Sequence, residues 1–177
     1  MNKILTITVL LSAIFFVSCN NSEKKTQEET IVTLEDINKL ESEVFDGSIT
    51  SPDQKKTLEL GKLYVQYADA NPNDSIAPDL LYKAADISMN IGNPKLTIAI
   101  FEKIINSYPN YKNIPTVTFL LGYVYENQLH DYDKAKQCYA ELLNKYPDSD
   151  FADDATISIK NLGKSPEEMI KEFENNN

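Results

Sequence analysis

The sequence predicts an all-α protein built as an array of helical hairpins. Three prolines, Pro72, Pro109 and Pro147, each follow a segment with apolar residues at helical spacing, and they lie 37 and 38 residues apart. Cap and turn residues divide each interval into two helices. A repeat of this length, with a proline after every second helix, is typical of stacked helix pairs, because proline cannot continue the preceding helix.

Two helices are predicted before the first of these prolines. The first begins after Thr33 as N-cap and ends at Gly47. The second has Ser51 as N-cap, Pro52 at its first position and Gln54 completing a capping box. Their apolar sides are formed by Leu34, Ile37, Leu40 and Val44 in the first helix, and by Leu60, Leu63, Tyr64 and Tyr67 in the second.

Two related units follow, at residues 78–109 and 115–147. In the first unit, Gly92, Asn93 and Pro94 end one helix and begin the next. We align the units with one extra residue in the second inter-helix turn. The aligned pairs are Ala84 with Gly122, Pro94 with Tyr132, Thr97 with Ala135, and Phe101 with Tyr139. Small residues at these sites are expected to let two helices approach closely while the aromatic rings fill the space beside them.

The C-terminal part is predicted to add two shorter helices. Residues 72–79 align without gaps with residues 147–154, so a helix is expected from about Phe151 to Leu162, ending near Gly163. Ser165 and Glu168 form a capping box that opens a final helix. Its apolar residues are Met169, Ile170 and Phe173. We expect this helix to shield the last exposed core face, as terminal helices do in such arrays.

The motif residues of the second unit resemble the tetratricopeptide repeat, whose period is near 34 residues. The resemblance implies a right-handed α-solenoid over residues 33–175, with about two full units plus flanking helices. The residues implied to hold the motif are Ala84, Phe101, Pro109, Gly122, Tyr125, Ala135, Tyr139 and Pro147. The segment from Tyr146 to Ala155 is also similar to outer-membrane assembly lipoproteins and to the tail domain of the Tol-Pal-associated coordinator.

The same resemblance implies a binding surface on the inner helices of the units. By alignment, the residues expected to bind a partner there are Leu81, Ala85, Met89, Tyr123, Glu126 and Asn127, with Ser88 and Phe119 beside them. The alternative is that several of these side chains pack against neighbouring helices and that the outer helices carry the binding. The implied partner is a protein or a peptide of the cell envelope.

The N-terminus predicts export and lipid attachment. Lys3 precedes an apolar run from Ile4 to Val17, which is too short for the ~20 residues of a membrane span. Ser18 and Cys19 resemble the lipobox of bacterial lipoproteins, which implies that residues 1–18 are a signal peptide and that Cys19 is lipidated. Residues 19–32 are then the lipidated end and a flexible tether. The alternative is an ordinary secretory signal with an incidental cysteine.

The resemblance to lipoproteins implies the location of the protein. A lipid on Cys19 would hold it on a membrane of the cell envelope, and Asn20 after the cysteine favours the outer membrane. The periplasmic face is favoured, and surface exposure stays open. Oligomeric state is left undetermined by the sequence.

Composition argues against polyanionic ligands. The chain has 177 residues, a net charge of −10 at pH 7 and no arginine. A nucleic-acid partner requires clustered cations that displace counterions, so none is expected. Without Arg, the chain also lacks the bidentate fork that suits phosphate. An acidic surface favours partners with neutral or basic segments.

No residue pattern predicts catalysis, a metal or a cofactor. The adjacent acids Asp153 and Asp154 suit the first turn of a helix, and the Asp148 to Asp150 segment lacks the later residues of a calcium loop. His130 is expected in a solvated turn, and Cys138 as a buried structural thiol. We therefore expect a non-enzymatic binding scaffold. The alternatives are a permanent structural subunit of an outer-membrane assembly or envelope-maintenance complex and, less well supported, an envelope hydrolase.

Overall fold

The computed structural model describes residues 31–45 and 53–175. They form eight helices: α1 Leu34–Val44, α2 Gln54–Ala70, α3 Ala77–Asn90, α4 Pro94–Ser107, α5 Ile114–Asn127, α6 Tyr132–Lys145, α7 Ala152–Asn161 and α8 Pro166–Asn175. These described ranges contain no strand, so the all-α prediction is confirmed. The predicted signal peptide, Cys19, most of the tether, Gly47, Ser51 and Pro52 lie outside the described residues.

Each helix from α1 to α6 packs on the next one along the chain. The apolar residues recur at helical spacing, so one side of each helix from α1 to α7 enters a continuous core and the other faces solvent. The largest fully buried side chains come from α1 through α6: Ile37, Val44, Leu60, Tyr64, Leu80, Leu81, Phe101, Ile104, Val117, Val124, Tyr139 and Leu142. Burial of such aromatic and aliphatic side chains is the main stabilising contribution to this array.

Capping residues fix where the helices begin. Thr33 is the N-cap of α1 as predicted, and it forms a capping box with Asp36: the Thr33 amide donates to Asp36 at 2.9 Å, and the Asp36 amide donates to the Thr33 hydroxyl at 3.2 Å. The prediction of Ser51 as N-cap of α2 is wrong. The N-cap is Asp53, whose carboxylate accepts from the Lys55 and Lys56 amides at 2.8 and 3.2 Å. Asp caps a helix as well as Ser does, so the later residue starts the helix.

The final helix does not shield the core as expected. The predicted capping box is present, since the Ser165 amide donates to Glu168 at 2.8 Å and the Glu168 amide donates to the Ser165 hydroxyl at 3.2 Å. Met169 and Ile170 are nevertheless 38% and 59% exposed. Polar contacts, the cap and an ion pair between Lys164 and Glu172 at 2.7 Å, hold the start of α8 in place of apolar packing.

The two central hairpins differ in their inter-helix turns. Three residues, 91–93, separate α3 from α4, and four, 128–131, separate α5 from α6. The extra residue is therefore in the predicted turn. Gly92 has a φ of 72°, and His130 reaches the left-handed region without being glycine, at 54°. The exposed His130 ring lies with Nδ1 3.1 Å from the Glu126 carbonyl oxygen, so this histidine occupies a solvated turn as predicted.

The position of the extra residue changes the alignment of the first helices. α3 and α5 both have 14 residues and a proline at their second position, and they begin and end 37 residues apart. Ala85 therefore corresponds to Gly122, and Ala84 to Leu121. The alignment of Ala84 with Gly122 is wrong by one residue, which on a helix is a rotation of about 100°. The second helices keep the predicted pairs, Thr97 with Ala135 and Phe101 with Tyr139.

Candidate partner-binding face

Helices α3 and α5 are held side by side at both ends. Near their N-termini, the Tyr111 hydroxyl, which precedes α5, donates to Asp79 of α3 at 2.7 Å. Near their C-termini, the Gln128 side-chain amide donates to the Met89 carbonyl oxygen at 3.3 Å. These two contacts place the solvent-facing sides of the first helices of both hairpins on one continuous surface.

Two residues predicted to bind a partner are buried. Leu81 and Ala85 are both 0% exposed and form part of the core, so their assignment to a binding surface is wrong. The physical reason is the register described above. The wrong alignment paired Ala85 with the exposed Tyr123, whereas the helix bounds pair Ala85 with Gly122. Ser88 is also buried, at 2% exposed, and Met89 is half-buried against the core.

The other predicted residues do reach the surface of α5. Tyr123 is 42% exposed, Asn127 is exposed and Glu126 is half-buried. The Asn127 side-chain amide donates to the Tyr123 carbonyl oxygen at 3.1 Å, which orients the amide and leaves its own oxygen free to accept. These side chains present an aromatic ring, an amide and a carboxylate on adjacent turns of one helix.

The corresponding residues of α3 were missed by the sequence analysis. Counting both helices from their shared proline position, Tyr82 corresponds to Phe119, Asp86 to Tyr123 and Asn90 to Asn127. Asp86 and Asn90 are exposed, and Tyr82 is half-buried. Residues four apart lie on the same side of a helix, so these three share one face. Counting residues from Pro78 in α3 and from Pro115 in α5 could have found them, because corresponding residues lie at the same distance from their own proline.

We define the inner face as six residues on these two helices. They are Tyr82, Asp86 and Asn90 on α3, and Tyr123, Glu126 and Asn127 on α5. The pKa of Tyr82 is raised, first by burial and then by the nearby Asp86 carboxylate. The inner face therefore carries negative charge close to aromatic surface.

Beneath the inner face, aromatic side chains join α5 to the helices behind it. The Tyr139 hydroxyl donates to the Glu126 carboxylate at 2.7 Å, and the pKa of Tyr139 is raised by burial and by this bond. Phe119 lies with its ring centroid 5.4 Å from that of Tyr139 and is stacked on Phe151 at 4.8 Å. Phe119 is half-buried, and the hydrogen bond from Tyr139 orients the Glu126 carboxylate.

The repeat-motif residues lie in the core and the turns. Pro109 and Pro147 follow α4 and α6 by two residues each. A Cβ placed on Gly122 would lie 2.6 Å from Tyr139 Cε1, which is closer than atoms can approach. The buried members of the motif are Ala84, Phe101, Gly122, Tyr125, Ala135 and Tyr139. They set the distance between paired helices and do not contact solvent freely.

Other candidate features are few in the described part of the chain. Residues 31–45 and 53–175 contain no cluster of His, Cys, Asp and Glu that could hold a metal ion. Among the same helices, none has the length and apolar character to cross a membrane. Cys138 is half-buried, and burial raises the pKa of its thiol to about 11. A groove of about 550 Å³ lies where Pro78, Tyr108, Tyr111 and Lys112 meet.

Comparison with known families identifies the two hairpins. The family model described as tetratricopeptide repeat matches residues 79–111 and 117–149, which contain most of α3 to α6. No curated protein and no solved structure matches the chain. The chain thus contains two tetratricopeptide repeats within an all-α array. Repeats of this family generally serve as protein-interaction modules and not as catalytic domains.

Proposed function

We propose that this protein is a non-enzymatic scaffold that binds a protein or peptide of the bacterial cell envelope through its inner face. One observation carries the proposal: both repeats expose polar and aromatic side chains at corresponding positions of their first helices. Seven other residues of each of these helices are buried in the core. A rigid pair of helices that presents an ordered set of exposed side chains is suited to recognition.

The electrostatics of the reactive groups support binding over catalysis. An activated nucleophile or base has a pKa moved toward neutrality. Here the pKa of the Cys138 thiol moves away from neutrality, to about 11. The pKa values of Tyr64, Tyr111 and Tyr139 are also raised, in each case by burial first and then by a hydrogen bond to a carboxylate. These groups serve packing and helix pairing.

The envelope location is the sequence-based part of the proposal. The apolar run that ends at Ser18 and Cys19 supports a lipoprotein signal, and Asn20 favours the outer membrane, with its periplasmic face preferred. In this arrangement residues 19–32 tether the helical array to the membrane through lipid on Cys19. A tether of this length would allow the inner face to reach partners within ~45 Å of the bilayer.

A specific observation favours a second candidate, a permanent subunit of an outer-membrane or envelope-maintenance complex. Large apolar side chains are exposed at both ends of the array: Phe45 after α1 at 63%, Ile157 on α7 at 57% and Ile170 on α8 at 59%. Large apolar side chains that are exposed at the ends of an array are available for contact with another protein. In this alternative the ends of the array, and not the inner face, hold the protein in its complex.

Crosslinking in native membranes separates the two candidates. Changing Tyr123 and Asn127 together to Ala should remove the major crosslinked partner. The matched control changes Tyr132 and Asn144 to Ala on α6, because Tyr132 has the same 42% exposure as Tyr123 and Asn144 is exposed. The control should keep the partner. If the inner-face variant keeps the partner and an Ile157→Ser, Ile170→Ser variant loses it, the permanent-subunit candidate replaces the first.

Lipid attachment is tested separately by the two cysteines. Cys19→Ser should abolish incorporation of labelled fatty acid and release the protein from membranes. Cys138→Ser is the matched control and should leave both unchanged, because Cys138 is half-buried within α6. Continued labelling of the Cys19→Ser protein would show that the lipobox interpretation is wrong.

A further inference from the structure

The two helices that carry the inner face differ in charge from those behind them. α5 has one charged residue, Glu126, and α3 has Asp79, Asp86 and Lys83. Lys83 is turned away from the inner face: its ammonium bonds Glu41 of α1 at 2.7 Å and lies 5.5 Å from the centre of the Tyr64 ring. By contrast, α4 carries two lysines and α6 carries three. The surface that α3 and α5 present is therefore anionic.

The carboxylates of α3 and α5 have no cationic partner within the described residues. The acidic residues that do form ion pairs in the described part of the chain are Glu43, Glu41, Asp69, Asp131, Glu141 and Glu172. Asp79 and Glu126 instead accept hydrogen bonds from the Tyr111 and Tyr139 hydroxyls, and Asp86 is exposed. A carboxylate that accepts one hydrogen bond keeps further lone pairs for a cation. Such charges favour encounter with a positively charged partner.

The amides of the inner face add a way to hold a main chain. Asn90 and Asn127 are exposed at corresponding positions of α3 and α5, and each amide has both donor and acceptor groups. An extended segment that crosses both helices would thus meet one such amide on each helix.

We infer that the inner face binds an extended segment that carries lysine or arginine between residues that pack on Tyr82 and Tyr123. The inference rests on the proposed scaffold function and specifies its partner. The cations face Asp86 and Glu126, and the segment's peptide groups face Asn90 and Asn127. Aromatic rings suit this ligand in two ways, because they pack against apolar side chains and attract cations to their faces.

Synthetic peptides test the inference on the purified full chain. One nine-residue peptide carries Lys at every third position among Ser and Leu, and its partner peptide carries Glu at those positions. Fluorescence anisotropy at low and physiological salt should show at least tenfold tighter binding of the Lys peptide. Asp86→Lys should weaken that binding at least tenfold. Asp133→Lys, the same change at an exposed site on α6, should alter it by less than about twofold.

Each contrary outcome would contradict the proposal of a cationic ligand for a different reason. Equal binding of both peptides would show that charge does not select the ligand. Equal losses from Asp86→Lys and Asp133→Lys would show that only the overall charge of the protein matters. If neither peptide binds, while the Tyr123 and Asn127 double variant still loses its partner in native membranes, the scaffold function stands and the partner is not cationic.

Discussion

The first and second repeats build the same backbone from different side chains. At one site in the first repeat, Thr97 of α4 lies against Ser88 of α3, and the two buried hydroxyls bond each other at 3.0 Å. The corresponding residues of the second repeat, Ala135 and Tyr125, are both buried and form no such hydroxyl pair. A hydroxyl pair in one repeat is thus replaced by a small residue and an aromatic one in the other.

A second exchange follows the same logic. Phe101 in the first repeat is replaced by Tyr139 in the second, and Met89 is replaced by Glu126, which accepts the tyrosine hydroxyl at 2.7 Å. The α1–α2 hairpin repeats the polar version, since the Tyr64 hydroxyl donates to Glu41 at 2.6 Å. Because a buried hydroxyl requires a partner, tyrosine and carboxylate change together. The two members of each pair are therefore expected to be exchangeable only as a pair.

The largest effect is expected at the closest helix contact. Gly122→Leu should lower the free energy of unfolding by about 3 kcal/mol, because even a Cβ at this site would lie 2.6 Å from the Tyr139 ring. The matched control is Gly61→Ala in α2, where a Cβ would meet Ile87 at an ordinary 3.4 Å. Chemical denaturation should show no loss for this control, because Ala favours a helix over Gly. Equal midpoints for wild type and Gly122→Leu would contradict the contact.

The next prediction tests whether the first repeat tolerates the tyrosine of this pair without its carboxylate. Phe101→Tyr should destabilise the protein by about 1–3 kcal/mol, because it buries a hydroxyl at a fully buried site without a carboxylate partner. Adding Met89→Glu should restore at least half of the loss by supplying the acceptor found in the second repeat. The measurement is a double-mutant cycle from denaturation curves. Purely additive effects would show that the two positions do not form a pair.

A smaller effect is expected from the reverse change in the second repeat. Tyr139→Phe removes one hydrogen bond to the half-buried Glu126 and should cost about 1 kcal/mol at neutral pH. Tyr132→Phe, a matched change at a 42% exposed tyrosine of the same helix, should cost nothing measurable. Thermal unfolding compares the two variants directly. A larger loss for Tyr132→Phe would reverse the ranking of the two hydroxyls.

The last prediction concerns the free energy of unfolding at alkaline pH. The pKa values of Tyr64 and Tyr139 are raised by burial and then by their carboxylate partners. The unfolded chain ionises tyrosine near pH 10. Since the unfolded state then loses protons that the folded state keeps, the free energy of unfolding should fall as pH rises above about 10. Tyr139→Phe should make this decline shallower, and an unchanged slope in denaturation series at increasing pH would contradict it.

Local signals explain why the helices could be predicted. Thr33, Asn93 and Ser165 act within three residues of the helix starts that they cap, so their effect is visible in a short stretch of sequence. Ser51 failed because Asp53, two residues later, offers an equally good cap. The position of a helix start is therefore uncertain wherever two good capping residues stand close together.

Predicting the binding face required a less local quantity, the number of residues in one inter-helix turn. The extra residue among 128–131 was foreseen, but applying its shift to the preceding helix rotated the predicted face of α3 by about 100°. Leu81 and Ala85 were chosen in place of Tyr82 and Asp86 for this reason. Whether a residue of α3 can face a partner depends on its burial. Burial in turn depends on which helices pack against each side of α3, and the sequence of one helix alone does not give this.

The half-buried Cys138 has a practical consequence for experiments on this protein. With a thiol pKa of about 11, only roughly one molecule in a thousand carries the reactive thiolate at pH 8. Thiol-directed dyes should therefore leave it largely unmodified under native conditions. In a Cys19→Ser background, a cysteine introduced at the exposed position 90 or 127 could then be labelled selectively. The native sequence thus provides a nearly silent background for placing a single spectroscopic reporter on the inner face.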